Sequence, residues 1–124
     1  MRPISVIELA GYRRRAEDLL SQPEQDAVID LIAYEPTCGD LIPATGGLRK
    51  VRVGRAGMGK RGGARVVYFF HDAGIPILLL AIYAKNEKSD LSAADKREFS
   101  TLTKKFVAQW RRENANPKTK PPRR

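Results

Sequence analysis

The hydrophobic period of this chain changes near Leu48, from the 3.6-residue repeat of a helix to the two-residue alternation of a strand, and that change governs what it can fold into. Upstream, Leu9, Tyr12, Ala16, Leu19 and Leu20 recur at helical spacing, with Arg13, Arg14, Arg15, Glu17 and Asp18 on the opposite side. Ile4 to Ile7 reads as a short strand before them. Ser21-Gln22-Pro23-Glu24 has the form of a capping box, so a second helix starts there, with Val28, Ile29, Leu31 and Ile32 as its apolar face. It should stop near Tyr34-Glu35, because Pro36 disfavours helical backbone in the residue before it. The two helices should form an antiparallel hairpin.

Downstream, Val51 and Val53 alternate with Lys50, Arg52 and, past Gly54, Arg55, which predicts a half-buried strand with a basic outer face. Gly54 to Gly63, rich in glycine and carrying Arg55, Lys60 and Arg61, reads as a mobile cationic loop. Arg65 to His71 is apolar on both parities and belongs in the middle of a sheet. Asp72-Ala73-Gly74 supplies a turn, and Ile75 to Lys85 returns as a buried strand. Ser92-Ala93-Ala94-Asp95 caps a last helix with Phe99, Leu102, Phe106 and Trp110 on one face.

The 124 residues suit one domain, taken as 1–113, with a basic, proline-containing, disordered tail over 114–124. A hydrophobic share of 42% excludes wholesale disorder. No run approaches the ~18 apolar residues of a membrane span. Met1-Arg2-Pro3-Ile4-Ser5 lacks the form of a signal peptide, and Cys38 has no partner cysteine, so a cytoplasmic setting is expected. The net charge of +9 is unevenly placed. Met1 to Ala44 holds 4 basic against 8 acidic residues, Thr45 to Lys88 holds 9 against 2, and Ser89 to Arg124 holds 10 against 4. Such a concentrated cationic segment gains affinity for a phosphate backbone by Coulomb attraction and counterion release. A merely solvated basic surface is the bland alternative.

Gly54-Arg55-Ala56-Gly57-Met58-Gly59-Lys60 has the glycine and lysine spacing of a nucleotide-binding loop, but Arg61 stands where a magnesium-binding Ser or Thr is required, and a strand follows instead of a helix. One histidine and one cysteine, 33 positions apart, make no metal site. His71 reads as a packed or solvent-facing strand residue. What remains is a cationic set spaced for one sheet face: Lys50 and Arg52 share a parity, Arg65 begins the next strand, and Tyr83 and Lys85 share a side of the last. An RNA phosphodiester suits such a face. Cleavage through the ribose 2′-OH needs that hydroxyl deprotonated, the non-bridging oxygens stabilised and the leaving 5′-oxygen protonated, and Arg or Lys can stabilise the oxygens without a metal. The plainer alternatives are a core aromatic for Tyr83 and phosphate anchoring for Lys50 and Arg52.

The runs Gly47-Leu48-Arg49-Lys50-Val51-Arg52, Gly59-Lys60 to Arg65-Val66-Val67-Tyr68, and Tyr83-Ala84-Lys85-Asn86-Glu87-Lys88 with Asp90-Leu91 resemble, in order and spacing, the RelE/HigB branch of the RelE/ParE toxin superfamily. The resemblance implies an α+β, microbial RNase-like fold: an N-terminal helical hairpin packed on a small, mainly antiparallel twisted sheet, with a C-terminal helix. It implies an mRNA interferase toxin of a type II toxin–antitoxin pair, without cofactor, acting in the ribosomal A site and silenced in a hetero-oligomer with a helix-turn-helix antitoxin. By the same resemblance Lys50 and Arg52 bind and help activate the scissile region, Arg65 stabilises the transition state, and Lys85 matches a basic residue near the end of the last strand. Arg55, Lys60, Arg61 and Asn86 complete the expected RNA-binding set. Asn86 stands where RelE has a functional arginine, and no tyrosine follows Tyr83, so the proton donor falls to Tyr83 or Lys85. The rival readings are a ParE-like inhibitor of DNA gyrase and a non-catalytic nucleic-acid-binding adaptor.

Overall fold

The computed structural model describes residues 2–55, 59–84, 87 and 91–115, with the backbone alone at 55, 59–62 and 115. Five strands and three helices follow one another as β1 (Val6–Glu8), α1 (Ala10–Leu19), α2 (Gln22–Tyr34), β2 (Asp40–Leu41), β3 (Leu48–Arg55), β4 (Gly59–Phe69), β5 (Ile77–Ala84) and α3 (Ala93–Ala115). The sheet order is β1-β5-β4-β3-β2. β1 runs parallel to β5 and every other pairing is antiparallel. The α+β class and the placing of the helices are as the sequence predicts. No helix among the described residues is long and apolar enough to cross a membrane.

β4 sits in the middle of the sheet because it is apolar on both faces. Val66 and Tyr68 enter one core with Tyr12, Ala16, Val28, Ile32 and Leu79, under α1 and α2. Val67 and Phe69 enter a second core with Leu48, Leu78, Leu80 and Leu91, against which Phe99, Leu102, Phe106 and Val107 of α3 pack. The helices therefore lie on opposite faces of one sheet. Their starts follow local chemistry. The Ser21 hydroxyl accepts from Glu24 N–H at 3.3 Å while Glu24 accepts from Ser21 N–H at 2.8 Å, and Ser92 Oγ accepts from Asp95 N–H at 3.0 Å.

Three sequence expectations need correction. The first strand is Val6–Glu8, displaced from Ile4–Ile7 because β1 takes its register from β5, with Val6 opposite Ile77. The glycine-rich segment is largely strand: β3 continues to Arg55, β4 begins at Gly59, and the two residues pair. Backbone pairing overrides the weak strand preference of glycine there. α3 runs to Ala115, two residues into the segment read as tail, and Asn114 Nδ2 donates to the Trp110 carbonyl at 2.7 Å.

Tyr68 fastens the irregular chain between α2 and β3. Its fully buried hydroxyl donates to the Pro36 carbonyl at 2.8 Å and accepts from Gly39 N–H at 2.9 Å. Arg49 adds a bond to the Gly39 carbonyl at 2.7 Å. The approach is close enough that a Cβ on Gly39 would stand 2.8 Å from the Lys50 carbonyl and 2.9 Å from the Tyr68 ring. Burial raises the pKa of Tyr68, and Cys38 pushes the same way against the opposing effects of Gly39 and Arg49. Burial, with Glu8 beside it, also raises that of Tyr12. A raised folded-state pKa means that these phenols favour folding below the unfolded tyrosine value of about 10 and lose that contribution as pH rises past it. Tyr68→Phe should cost about 1–3 kcal/mol at neutral pH by leaving the Pro36 and Gly39 groups unmet. It should also flatten the alkaline fall in stability, both effects being read from urea unfolding at pH 7 and above 10.

Candidate nucleic-acid interface

The candidate site lies where β3, β4 and β5 run side by side. In register, Arg52 is opposite Arg65, and Arg65 is opposite Tyr83. Arg65 shares the parity of Val67 and Phe69, which face α3, and Tyr83 belongs to the same core, so the row lies on the α3 side of the sheet. Lys50 stands two residues before Arg52 on that side, opposite Val67. Arg49 has the opposite parity and is spent on the 37–39 turn. One basic run thus divides into a structural arginine and two outward cations.

The presence of Tyr83 in this row depends on a β-bulge. Val67 pairs with Ala81 but Tyr68 pairs with Leu79, which leaves Leu80 as an extra residue in β5. Before the bulge, Ile77 and Leu79 face α1 and α2; beyond it that side is taken by Ile82, and Leu80 and Tyr83 face α3. An unbroken two-residue alternation would have put Tyr83 with Ile77 and Leu79, away from Arg65.

Arg52 is exposed, and Lys50 and Arg65 are half-buried. Two arginines directly opposite on one sheet face repel each other, at a cost of a few tenths to ~1 kcal/mol, and a bound anion relieves that cost. Tyr83 is buried, at 3% exposure, within the second core. Its ring is packed wall beside Arg65 and presents almost nothing to solvent. Lys85 and Asn86 lie outside the described residues, as do the side chains of Arg55, Lys60 and Arg61. Of the candidate set, the structure brings together Lys50, Arg52, Arg65 and Tyr83. Among the described residues no three of His, Cys, Asp and Glu converge to hold a metal ion.

Two residues that sequence reasoning passed over anchor the far end of β5. Glu87 N–H donates to the Ala84 carbonyl at 3.0 Å, and Ala84 N–H donates to Glu87 Oε1 at 2.8 Å, which closes a turn immediately after Tyr83. The same carboxylate oxygen accepts from Arg15 of α1. Glu87 is visible in the motif, but Arg15, 72 residues away, has no local signal beyond its place on the polar side of α1.

Millimolar pyrophosphate should raise the melting temperature of the wild-type chain more than chloride of equal ionic strength does. Arg52→Gln and Arg65→Gln should each remove most of that difference, and without ligand at low salt Arg52→Gln should be stabilising by a few tenths of a kcal/mol.

The geometry is that of a cationic sheet face, with Lys50, Arg52 and Arg65 on one side of β3 and β4. A family model described as the RelE toxin of the RelE/RelB toxin–antitoxin system matches residues 39–116. That span takes in β2 to α3 and with them the whole row of Arg52, Arg65 and Tyr83. The chain therefore belongs to the RelE toxin family, as the toxin component of a toxin–antitoxin system whose family implies an antitoxin partner.

Proposed function

We propose that this toxin is a metal-independent, ribosome-dependent mRNA endoribonuclease that inhibits translation in the cytoplasm. The observation that carries this reading is the in-register row of Arg52, Arg65 and Tyr83 with Lys50 on the same face. In the reaction, the ribose 2′-oxygen loses its proton and attacks the adjacent phosphorus. The bond to the 5′-oxygen breaks, and that oxygen takes up a proton, giving a 2′,3′-cyclic phosphate and a 5′-hydroxyl. Arg65, with Arg52 opposite it, stabilises the charge that grows on the non-bridging oxygens, as fixed donors aimed at a developing charge do. Lys50 and Arg52 hold the scissile region and help activate it. Tyr83 is too deeply packed to exchange protons with solvent, so its part is to fix the neighbourhood of Arg65. The proton donor is then Lys85, on sequence grounds alone, and Arg55, Lys60, Arg61 and Asn86 extend the RNA-binding surface.

The same face suits a helix-turn-helix antitoxin that presents acidic residues in place of phosphates and so silences the toxin in a hetero-oligomer. Complementary charge of this kind speeds association and makes it salt-dependent.

Purified toxin on programmed ribosomes should cut mRNA at positions phased to the codon in the A site. Arg65→Ala should lower the single-turnover rate by about 10²–10³, the usual cost of removing one transition-state donor. Unchanged cleavage would take Arg65 out of the mechanism. Intact messages together with DNA damage on expression would favour gyrase inhibition instead.

A further inference from the structure

Beyond the Phe69 end of β4, a cavity of about 250 Å³ opens between α3 and the turn that leads into β3. Gly46, Phe69, His71, Lys104, Val107 and Arg111 line it. None of these residues belongs to the phosphate-facing row already described.

The walls are firmly built. Thr45 Oγ1 donates to the Ile42 carbonyl at 2.6 Å and accepts from Leu48 N–H at 3.2 Å, closing the turn that presents Gly46. Gly46 and Gly47 adopt φ of 75° and 121°, and a Cβ on Gly47 would come within 3.1 Å of the Phe69 ring. Ser100 Oγ of α3 donates to the Thr45 carbonyl at 3.0 Å, so helix and turn are tied together. The His71 ring stacks on Phe69, with centroids 6.1 Å apart and planes 20° from parallel.

The charge is also placed. Arg111 Nη2 lies 2.9 Å from His71 Nε2 and 3.6 Å from Asp72 Oδ2. Held from one side by His71 and Asp72, the guanidinium keeps donors for a further group; its side chain is 60% exposed. Lys104 stands seven residues earlier on the same helix, two turns or about 10 Å along the axis. The cavity therefore carries a cation at each end, an aromatic pair on one wall and apolar surface between them. One carboxylate lies beside it, so the net charge around it is positive.

These features select the ligand. A stacked imidazole offers a flat face to a nucleobase, and the two cations offer sites for the phosphates that flank it. A volume of about 250 Å³ takes one nucleotide and excludes a duplex. Phe69 shares a side of β4 with Arg65, four residues or about 13 Å along the strand. Lys50 on β3 provides a cation between the two ends. We infer that this cavity is a second RNA subsite, which holds one nucleotide of a single strand some two or three positions from the phosphate at Arg65, its base against His71 and its phosphates at Lys104 and Arg111. The inference rests on the nuclease reading for its choice of RNA, but it is tested by binding alone.

The test uses RNA oligonucleotides that are 2′-O-methylated throughout and so cannot be cut, titrated by fluorescence anisotropy against the full chain. A dinucleotide is too short to reach from the Arg65 row into the cavity, and a hexamer spans both. Lys104→Ala/Arg111→Ala should weaken the hexamer at least fivefold, leave the dinucleotide unchanged, and reduce the slope of log affinity against log salt by about 1.4, or ~0.7 for each single-strand phosphate that is no longer neutralised. His71→Ala should weaken the hexamer without altering that slope. Both cationic side chains are exposed, and matched melting curves establish that the variants fold. Equal hexamer affinities in wild type and double variant would overturn the subsite. So would a free mononucleotide binding as tightly as the hexamer with the same sensitivity, or an acidic peptide captured there in place of RNA. Loss of cleavage in Arg65→Ala with no effect of the double variant on hexamer binding sinks the subsite alone. A wild type that cuts no message, yet loses hexamer affinity in the double variant, sinks the nuclease reading alone.

Discussion

β4 is buried on both faces, and the arrangement of the whole molecule follows from that. Its even-numbered apolar residues, Val66 and Tyr68, need one cover and its odd-numbered ones, Val67 and Phe69, need another. α1 and α2 supply the first and α3 the second. From Ala64 to Phe69 this strand is apolar on both faces but for one residue, and a charged residue in such a stretch is under close constraint, because burying an unmet charge costs several kcal/mol. Arg65 occupies the one such position described in β4, opposite Arg52 and Tyr83. The strand that organises the core therefore also determines where the cations of this row stand. Repulsion between the two arginines, register partners on one sheet face, weakens the fold slightly.

Much of this is legible in the sequence because it depends on local chemistry. The Ser21/Glu24 box, the Ser92 cap and the double-sided apolar run in β4 each declare themselves within a few residues, and strand parity alone puts Lys50 with Arg52. What cannot be read is long-range. β2 is two residues long, too short for any alternation to show, and exists because β3 offers it a partner. β1 is shifted because β5 sets its register. The glycines at 59, 62 and 63 look like loop in sequence and lie in β4, with Gly59 paired to Arg55.

The bulge at Leu80 is the sharpest case. In sequence, Ile77 to Ala84 is a continuous apolar run in which nothing marks one residue as extra, and simple alternation sends Tyr83 to the wrong face. Tyr83 stands beside the cations only because of a backbone irregularity that apolar periodicity conceals. The same insertion carries Tyr83 into the packed core under α3, where its hydroxyl is shut off from solvent. Proximity in register and access to substrate are separate properties, and only the first can be read from parity.

The acidic N-terminal half contributes more than bulk. Arg15 extends from α1 to Glu87, and Glu87 in turn holds the backbone of Ala84, the residue after Tyr83. The end of β5 is thus clamped from the α1 side of the sheet, while its α3 side contributes Tyr83 to the row with Arg65. A carboxylate that accepts at once from a guanidinium and a backbone N–H makes a stronger restraint than either bond alone, because charge-assisted hydrogen bonds are about twice as strong as neutral ones and here share one oxygen. The separation of charge along the chain, with acidic residues enriched in the hairpin and basic residues on the sheet, accordingly divides labour between faces. The net-negative segment holds the scaffold and one strand end, and the cations of the net-positive segment are left to the open sheet face.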